Sequence, residues 1–421
     1  MKTRKSGYHP GRLAHSALIT LFWQVVRIGL LAAWMIVTAR LLGPDGYGTY
    51  SGLASLAITL GAFTGLGLGF VMYQGTVHKP EAFSQYWTNT LLAAFATGLA
   101  ISLLFLGIGK LLAPITSTTT LLAIGISETL LFPMITTSAF AFSAHERLGW
   151  ATMLPAMTAL FRLGGNAAFF YVAPTHSVEQ YVWFHAAATF LSALFALTLI
   201  HKRLRPEIIQ PSIEPRQWID GIGFTFSWSG SNALTSLDKT FTLKFGGAEL
   251  AGIYSLAYRF VTLATQPIDA LVTAAMPRLF AQGAEPAKHP RLLGVLLTVI
   301  AIYGVVAGVL VWEAAAVIPL LLGENYTPAV ATIQVLALII PFYGVRVAIG
   351  NTLLGRRQKK IKAMVEFTAI PLMGVLMLIL LPRYGIAGAA YACISVEVFL
   401  AVASLLALFA LRRAAWPAPK L

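Results

Sequence analysis

Cysteine is nearly absent from the chain. Cys393 is the only one in 421 residues, which excludes a disulfide framework and a cysteine-based metal cluster. Charge is scarce as well: charged residues make up 11% of the sequence, against about 25% in a soluble globular protein. Acids are the scarcer sign, 16 against 30 bases. Long polar segments are missing too. No connection between the apolar runs exceeds the one at 201–218, so there is no room between them for a nucleotide-binding or catalytic domain. No cofactor is expected, and the chain does not read as an enzyme.

What is present is apolar length. Hydrophobic residues reach 57%, and the mean hydropathy is +0.75. Runs long enough to cross the hydrocarbon core recur throughout. The first, 15–39, is too long for a signal-peptide core and ends in no small-residue cleavage site, so it reads as a retained helix. Twelve spans are expected: 15–39, 47–73, 87–109, 119–143, 150–172, 179–200, 219–243, 250–276, 291–312, 328–354, 363–381 and 386–411. The fold class is therefore an all-α membrane protein. A net charge of +14 would suit nucleic acid, but the bases sit in short loops, so no nucleic-acid partner is expected. With the N-terminus inside, the cytoplasmic loops hold most lysines and arginines. The opposite face keeps only Arg40, Lys110, Lys244 and Arg383, which places both termini in the cytoplasm.

The chain also repeats itself. Residues 40–51, Arg-Leu-Leu-Gly-Pro-Asp-Gly-Tyr-Gly-Thr-Tyr-Ser, return 204 positions later as Lys-Phe-Gly-Gly-Ala-Glu-Leu-Ala-Gly-Ile-Tyr-Ser. Gly43, Gly48, Tyr50 and Ser51 match Gly247, Gly252, Tyr254 and Ser255. Leu131-Phe132-Pro133 is echoed more faintly by Ile339-Ile340-Pro341. The proline-containing connection at 201–218 divides the spans six and six, into residues 1–205 and 206–421. Because six is even, the halves insert in the same orientation and form two parallel-repeat six-helix bundles, a common build of secondary transporters.

Ionisable residues fall inside these spans, where a charge at the helix centre costs about 2.5–3.5 kcal/mol. Arg27, Arg162, Arg259 and Arg346 supply two guanidinium groups per half. With Lys239 they suggest a cationic, substrate-binding cavity, since guanidinium grips phosphate bidentately. The bland alternative is a structural pair for each with a nearby acid. Asp238, Asp269, Glu128 and Glu397 are candidates for ion coupling. Asp269 follows Pro267, where a kink would free backbone carbonyls. Asp238 and Lys239 are adjacent and are expected to point apart. Glu366 reads as an interface residue beside the basic loop 355–362. The seventh span is unusually polar, and Ser231, Asn232 and Thr235 are expected to form a cavity wall. Gly65-Leu66-Gly67-Leu68-Gly69 imitates a dinucleotide motif, but no strand precedes it. Gly61, Gly65 and Gly69 at four-residue spacing fit close packing or bending of a span instead.

Several segments resemble one family. Ala39-Arg40-Leu41-Leu42-Gly43-Pro44-Asp45-Gly46-Tyr47-Gly48-Thr49-Tyr50 is similar to the opening of bacterial polysaccharide and O-antigen exporters, the Wzx-type flippases. So are Gly252-Ile253-Tyr254-Ser255-Leu256-Ala257-Tyr258-Arg259, Leu322-Gly323-Glu324-Asn325-Tyr326-Thr327-Pro328-Ala329 and Pro382-Arg383-Tyr384-Gly385-Ile386-Ala387-Gly388-Ala389-Ala390. The resemblance implies a V-shaped, MATE-like architecture of two bundles, alternating access and a place in the bacterial cytoplasmic membrane. Its implied cargo is a polyprenyl-diphosphate-linked oligosaccharide, the repeat unit of an O-antigen, capsule or exopolysaccharide. Polysaccharide polymerase or ligase machinery would be the partner downstream. Peptidoglycan-precursor flippases carry two further helices that this chain lacks. The resembling motifs sit at helix ends, so no cavity residue is transferred by motif. Two rivals are a cation-coupled multidrug exporter of the same superfamily and a membrane glycan polymerase or transferase. Four buried arginines would repel cationic drugs, and the enzyme would need a substantial outer loop that the chain lacks.

Overall fold

The computed structural model describes residues 10–207, 209–212, 215–284, 292–356 and 358–413. The segments 1–9, 285–291 and 414–421, whose bases enter the orientation argument, lie outside these. Among the described residues all regular structure is helical. A backbone in hydrocarbon has no water partner, so each N–H and C=O must bond within its own segment. The order is α1 (Pro10–Gly61), α2 (Leu68–His78), α3 (Phe83–Leu112), α4 (Thr118–Gly125), α5 (Phe132–Ala144), α6 (Leu148–Val172) and α7 (Val178–Arg203). Then come α8 (Pro215–Gly246), α9 (Ala248–Ala284), α10 (Leu292–Ala314), α11 (Ile318–Leu322), α12 (Pro328–Ala337), α13 (Ile339–Gly355), α14 (Lys359–Tyr384) and α15 (Ile386–Arg413).

The twelve expected stretches coincide with helices over most of their described residues, but the count of twelve crossings does not follow from apolarity. Among the described residues, seven helices are long and apolar enough to cross a membrane. An eighth is added when the pair Glu324–Ala337 and Ile339–Gly355, bent by 44°, counts as one span. α6, α8 and α9 fall short of that measure because they carry polar groups such as Arg162, Asp238, Lys239, Arg259 and Asp269. α1 counts once although it holds two expected spans. Its 52 residues would reach about 78 Å unbroken, more than twice the ~30 Å hydrocarbon core. It breaks at Gly43, with φ 66° and ψ 177°. Gly247, the matching residue of the second motif copy, has φ 84° and joins α8 to α9. Both copies keep glycine where the chain turns through a backbone region hostile to L side chains.

The chain packs as two compact units, Met1–Thr38 with Leu60–Thr225, and Ala39–Thr59 with Phe226–Leu421. The first is organised around Phe83, Trp87, Phe142, Leu154 and Ile200. In lipid such contacts act through van der Waals packing, since the surrounding tails are equally apolar. Ser177 opens α7 by accepting from the Gln180 amide, and His201, Lys202 and Arg203 close it. Both ends thus suit the helix dipole.

In the second unit the two motif copies lie against each other. Ser51 Oγ donates to Ser255 Oγ at 2.9 Å. A Cβ on Gly48 would overlap the Ala248 carbonyl, and one on Gly252 would overlap the Pro44 carbonyl. Pro44 and Ala248 are themselves 204 residues apart, so exchanging the copies maps this crossing onto itself. The repeat read from the sequence is therefore also a symmetric contact, with backbones touching where neither copy has a side chain.

Candidate functional site

The first unit gathers its polar groups where two spans lose regularity. Pro133 has no N–H to offer the Thr129 carbonyl, and Ile126–Leu131 just before it widens into a π-helix. Thr64 Oγ1 supplies the missing donor at 2.6 Å. Opposite, the second span breaks: Gly65, Leu66 and Gly67 have φ of 72°, 45° and 73°. Holding Leu66 in that region costs about 1–3 kcal/mol. The break is secured by the Gly65 amide donating to Thr97 Oγ1 at 2.7 Å. A Cβ on Gly61 would run into the Glu128 carbonyl, so the two irregular segments abut. The glycine run read as a place of packing or bending is thus a break.

The π-turn carries Glu128, which is 2% exposed. Its Oε1 accepts from Arg162 Nη2 at 2.6 Å and from His185 Nε2 at 2.7 Å. Ser127 Oγ adds a longer bond at 3.3 Å. Arg162 Nε donates to Thr189 Oγ1 at 3.2 Å, and its guanidinium carbon lies 5.7 Å from the Trp34 ring and 5.3 Å from the Phe132 ring. Asn166 ties the same helix to α1, donating to Thr38 Oγ1 at 2.8 Å. With His185 neutral, the cluster has one positive and one negative charge.

Among the described residues of the second unit, three groups bring charged side chains together. Arg346 grips Glu397 bidentately, through Nε at 2.9 Å and Nη2 at 3.2 Å. The same guanidinium lies over Tyr343, 5.0 Å from the ring centroid. Tyr343 in turn donates to Asp269. Lys239 Nζ donates to Asp238 Oδ1 and to the Thr235 carbonyl, each at 2.8 Å, and lies 3.7 Å from the centre of the Tyr258 ring. Tyr254 donates to the other Asp238 oxygen at 2.8 Å. Lys362 pairs with Glu366 at 2.7 Å, and Ser231 Oγ donates to Glu366 at 2.9 Å.

The structure pairs charges that the sequence left open. Arg162 and Arg346, read as cavity cations or as members of structural pairs, each have a carboxylate. Those carboxylates are Glu128 and Glu397, the candidates for ion coupling. Asp238 and Lys239 do not point apart: the long lysine stem folds back along α8, so adjacent residues meet. Glu366 is buried in the protein and pairs with Lys362 of the basic stretch 355–362. α9 continues through Pro267, and Asp269 is half-buried. Asn232 and Thr235 are half-buried on α8 beside Ser231. Arg259 is half-buried on α9. Arg27 is half-buried on α1, and its side-chain partner among the described residues is the neutral Gln24, at 3.4 Å. His185 escaped the sequence reading although a histidine inside a span was a usable signal, and Thr64 carried no signal at all. Among the described residues no three His, Cys, Asp or Glu side chains gather to hold a metal ion.

The polysaccharide biosynthesis protein family matches residues 13–282. No curated protein sequence matches the chain. Among solved structures, it is similar to the lipid II flippase MurJ in an inward closed conformation, with a TM-score of 0.73 at 12% identity, covering 94% of this chain and 87% of that one. An inward-facing MATE-family multidrug resistance transporter of the MOP superfamily gives 0.70 at 12% identity, covering 94% and 100%. A MOP-superfamily transporter from Pyrococcus furiosus gives 0.63 at 13% identity, covering 94% and 93%. At such identities the likeness is one of fold. The chain is a multi-pass membrane protein that belongs to the polysaccharide biosynthesis protein family and has the fold of the MOP-superfamily transporters.

Proposed function

We propose that the protein is a flippase that moves a polyprenyl-diphosphate-linked oligosaccharide from the inner to the outer leaflet of the bacterial cytoplasmic membrane. Twelve crossings in two halves, 1–205 and 206–421, carry it by alternating access with both termini in the cytoplasm. The family membership supports the glycan class. The observation that carries the cationic grip is Arg27, an intramembrane guanidinium with a neutral partner. A base in that setting has capacity left for an anionic diphosphate. Arg259 contributes positive charge in the second half, whereas Lys239 is held by Asp238 and does not bind cargo. Arg162 and Arg346, held by Glu128 and Glu397, shape the walls and do not bind cargo. Ser231, Asn232 and Thr235 face the sugars. The polymerase or ligase that uses the repeat unit is the partner.

The test is surface glycan in a host lacking its own copy, complemented with Arg27→Ala and Arg27→Lys at matched protein levels. Alanine abolishes export and lysine restores part of it, because lysine offers charge without the bidentate fork. Normal glycan with Arg27→Ala overturns the grip. The likeness to MATE transporters keeps drug export as the second reading. Altered drug resistance with intact glycan in a deletion strain would select it.

A further inference from the structure

Glu128, Arg162 and His185 form a titratable cluster that the cargo grip just described does not use, and Glu128 sits on an irregular segment that meets a second one. The Glu128 side chain hangs from the π-turn Ile126–Leu131. The backbone of the same turn meets the broken second span at Gly61, and Thr64 bonds the Thr129 carbonyl. π-turns mark functional positions more often than regular helix does, and Leu66 already stores strain. A change in the charge of the cluster therefore acts on two segments with alternative backbone arrangements within reach.

The charge balance gives the direction. The cluster is faced by Arg162 from α6, by His185 and Tyr181 from α7, and by the uncharged Trp34 and Thr38 of α1 and Ser102 of α3. Arg162 and Glu128 cancel while His185 is neutral. One added proton leaves a net positive charge wherever it settles: on the imidazole it sets two cations against one carboxylate, and on Glu128 it strips Arg162 of its counter-ion. Glu128 and His185 are each only 2% exposed, and an uncompensated charge at such depth is costly. We infer that this cluster is a proton-responsive latch, which holds the π-turn against the broken second span when neutral and releases both when it takes up one proton. It would give the flippase of the preceding section a coupling ion, and it rests on that reading only for its purpose.

Hydrogen–deuterium exchange of the purified chain in lipid nanodiscs tests it, at pH 5.5 and pH 8 with labelling times scaled to intrinsic exchange. Peptides covering 58–70 and 124–134 are expected to exchange about tenfold faster at the lower pH, together, as one local opening. His185→Gln keeps a donor but cannot titrate, and both segments stay slow at either pH. Glu128→Gln removes the charge, and both stay fast at either pH. A wild-type protein without pH dependence, a rise confined to one segment, or a rise that survives in His185→Gln overturns the latch. No cargo enters this readout, so its failure leaves the flippase reading standing, and a normal Arg27→Ala strain leaves the latch standing.

Discussion

Replacing Glu397 by alanine strands a guanidinium that has almost no contact with the surface. The Arg346 and Glu397 side chains are 8% and 6% exposed, and two charge-assisted hydrogen bonds are lost. Bonds to charged groups contribute about 1.5–3 kcal/mol each, and breaking a buried pair from one side costs about 3–5 kcal/mol. The Tyr343 ring, 5.0 Å from the guanidinium carbon, offsets about 1–2 kcal/mol by cation–π attraction. The expected loss is about 3 kcal/mol for Glu397→Ala and a similar amount for Arg346→Met. Arg346→Met combined with Glu397→Leu removes both charges and refills the space, and it is expected within about 1 kcal/mol of the native protein. Equilibrium unfolding of the purified chain in mixed micelles, with SDS as denaturant, measures all four corners of this cycle. Surface glycan reports on function in the same variants, and the double variant is expected to retain export. A coupling below about 0.5 kcal/mol would refute the reasoning. So would an Arg346→Met protein of native stability that no longer exports, which would return Arg346 to the cargo site.

Two further outcomes follow from the packing. Ser51→Cys with Ser255→Cys, in a chain whose single Cys393 is replaced by alanine, is expected to form an intramolecular disulfide under mild oxidation, because the native hydroxyls are 2.9 Å apart; a non-reducing gel with a protease site between the positions reads it, and absence of the cross-link refutes the symmetric crossing. Thr64→Val removes the donor that replaces the missing Pro133 N–H, and an unsatisfied buried carbonyl costs about 1–3 kcal/mol, so unfolding in the same micelles shifts by that amount; Thr64→Val with Pro133→Ala is expected to recover most of it, and a double variant no better than Thr64→Val alone rejects that role for Thr64.

The repeat was readable for a backbone reason. Gly43 and Gly247 occupy positive φ, and Gly48 and Gly252 stand where another backbone passes, so side chains were excluded at the same two places in each copy. Pro133 and Pro341, whose segments echo each other in the sequence, each follow a disturbed stretch of helix: a π-turn before Pro133 and a 44° bend before Pro341. The pairing of the charged residues was not readable. Arg162 meets Glu128 across 34 residues, His185 meets it across 57, and Arg346 meets Glu397 across 51. Such pairings depend on how each helix is rotated and how far it slides along its neighbours, and helical periodicity carries neither quantity. Even the adjacent Asp238 and Lys239 were misjudged, because the flexible stem of lysine escapes a rule about helix faces.

The amino-acid sequence alone therefore settled that the chain is helical, lies in a membrane and carries a duplicated turn, because hydrocarbon leaves an unpartnered backbone few alternatives and the two copies of the turn keep their glycines. Only the tertiary structure decided which guanidinium groups are already neutralised and which retains a neutral neighbour. That distinction is one of distances between side chains far apart in the chain, and the Coulomb energy it sets depends on separation and burial rather than on residue type.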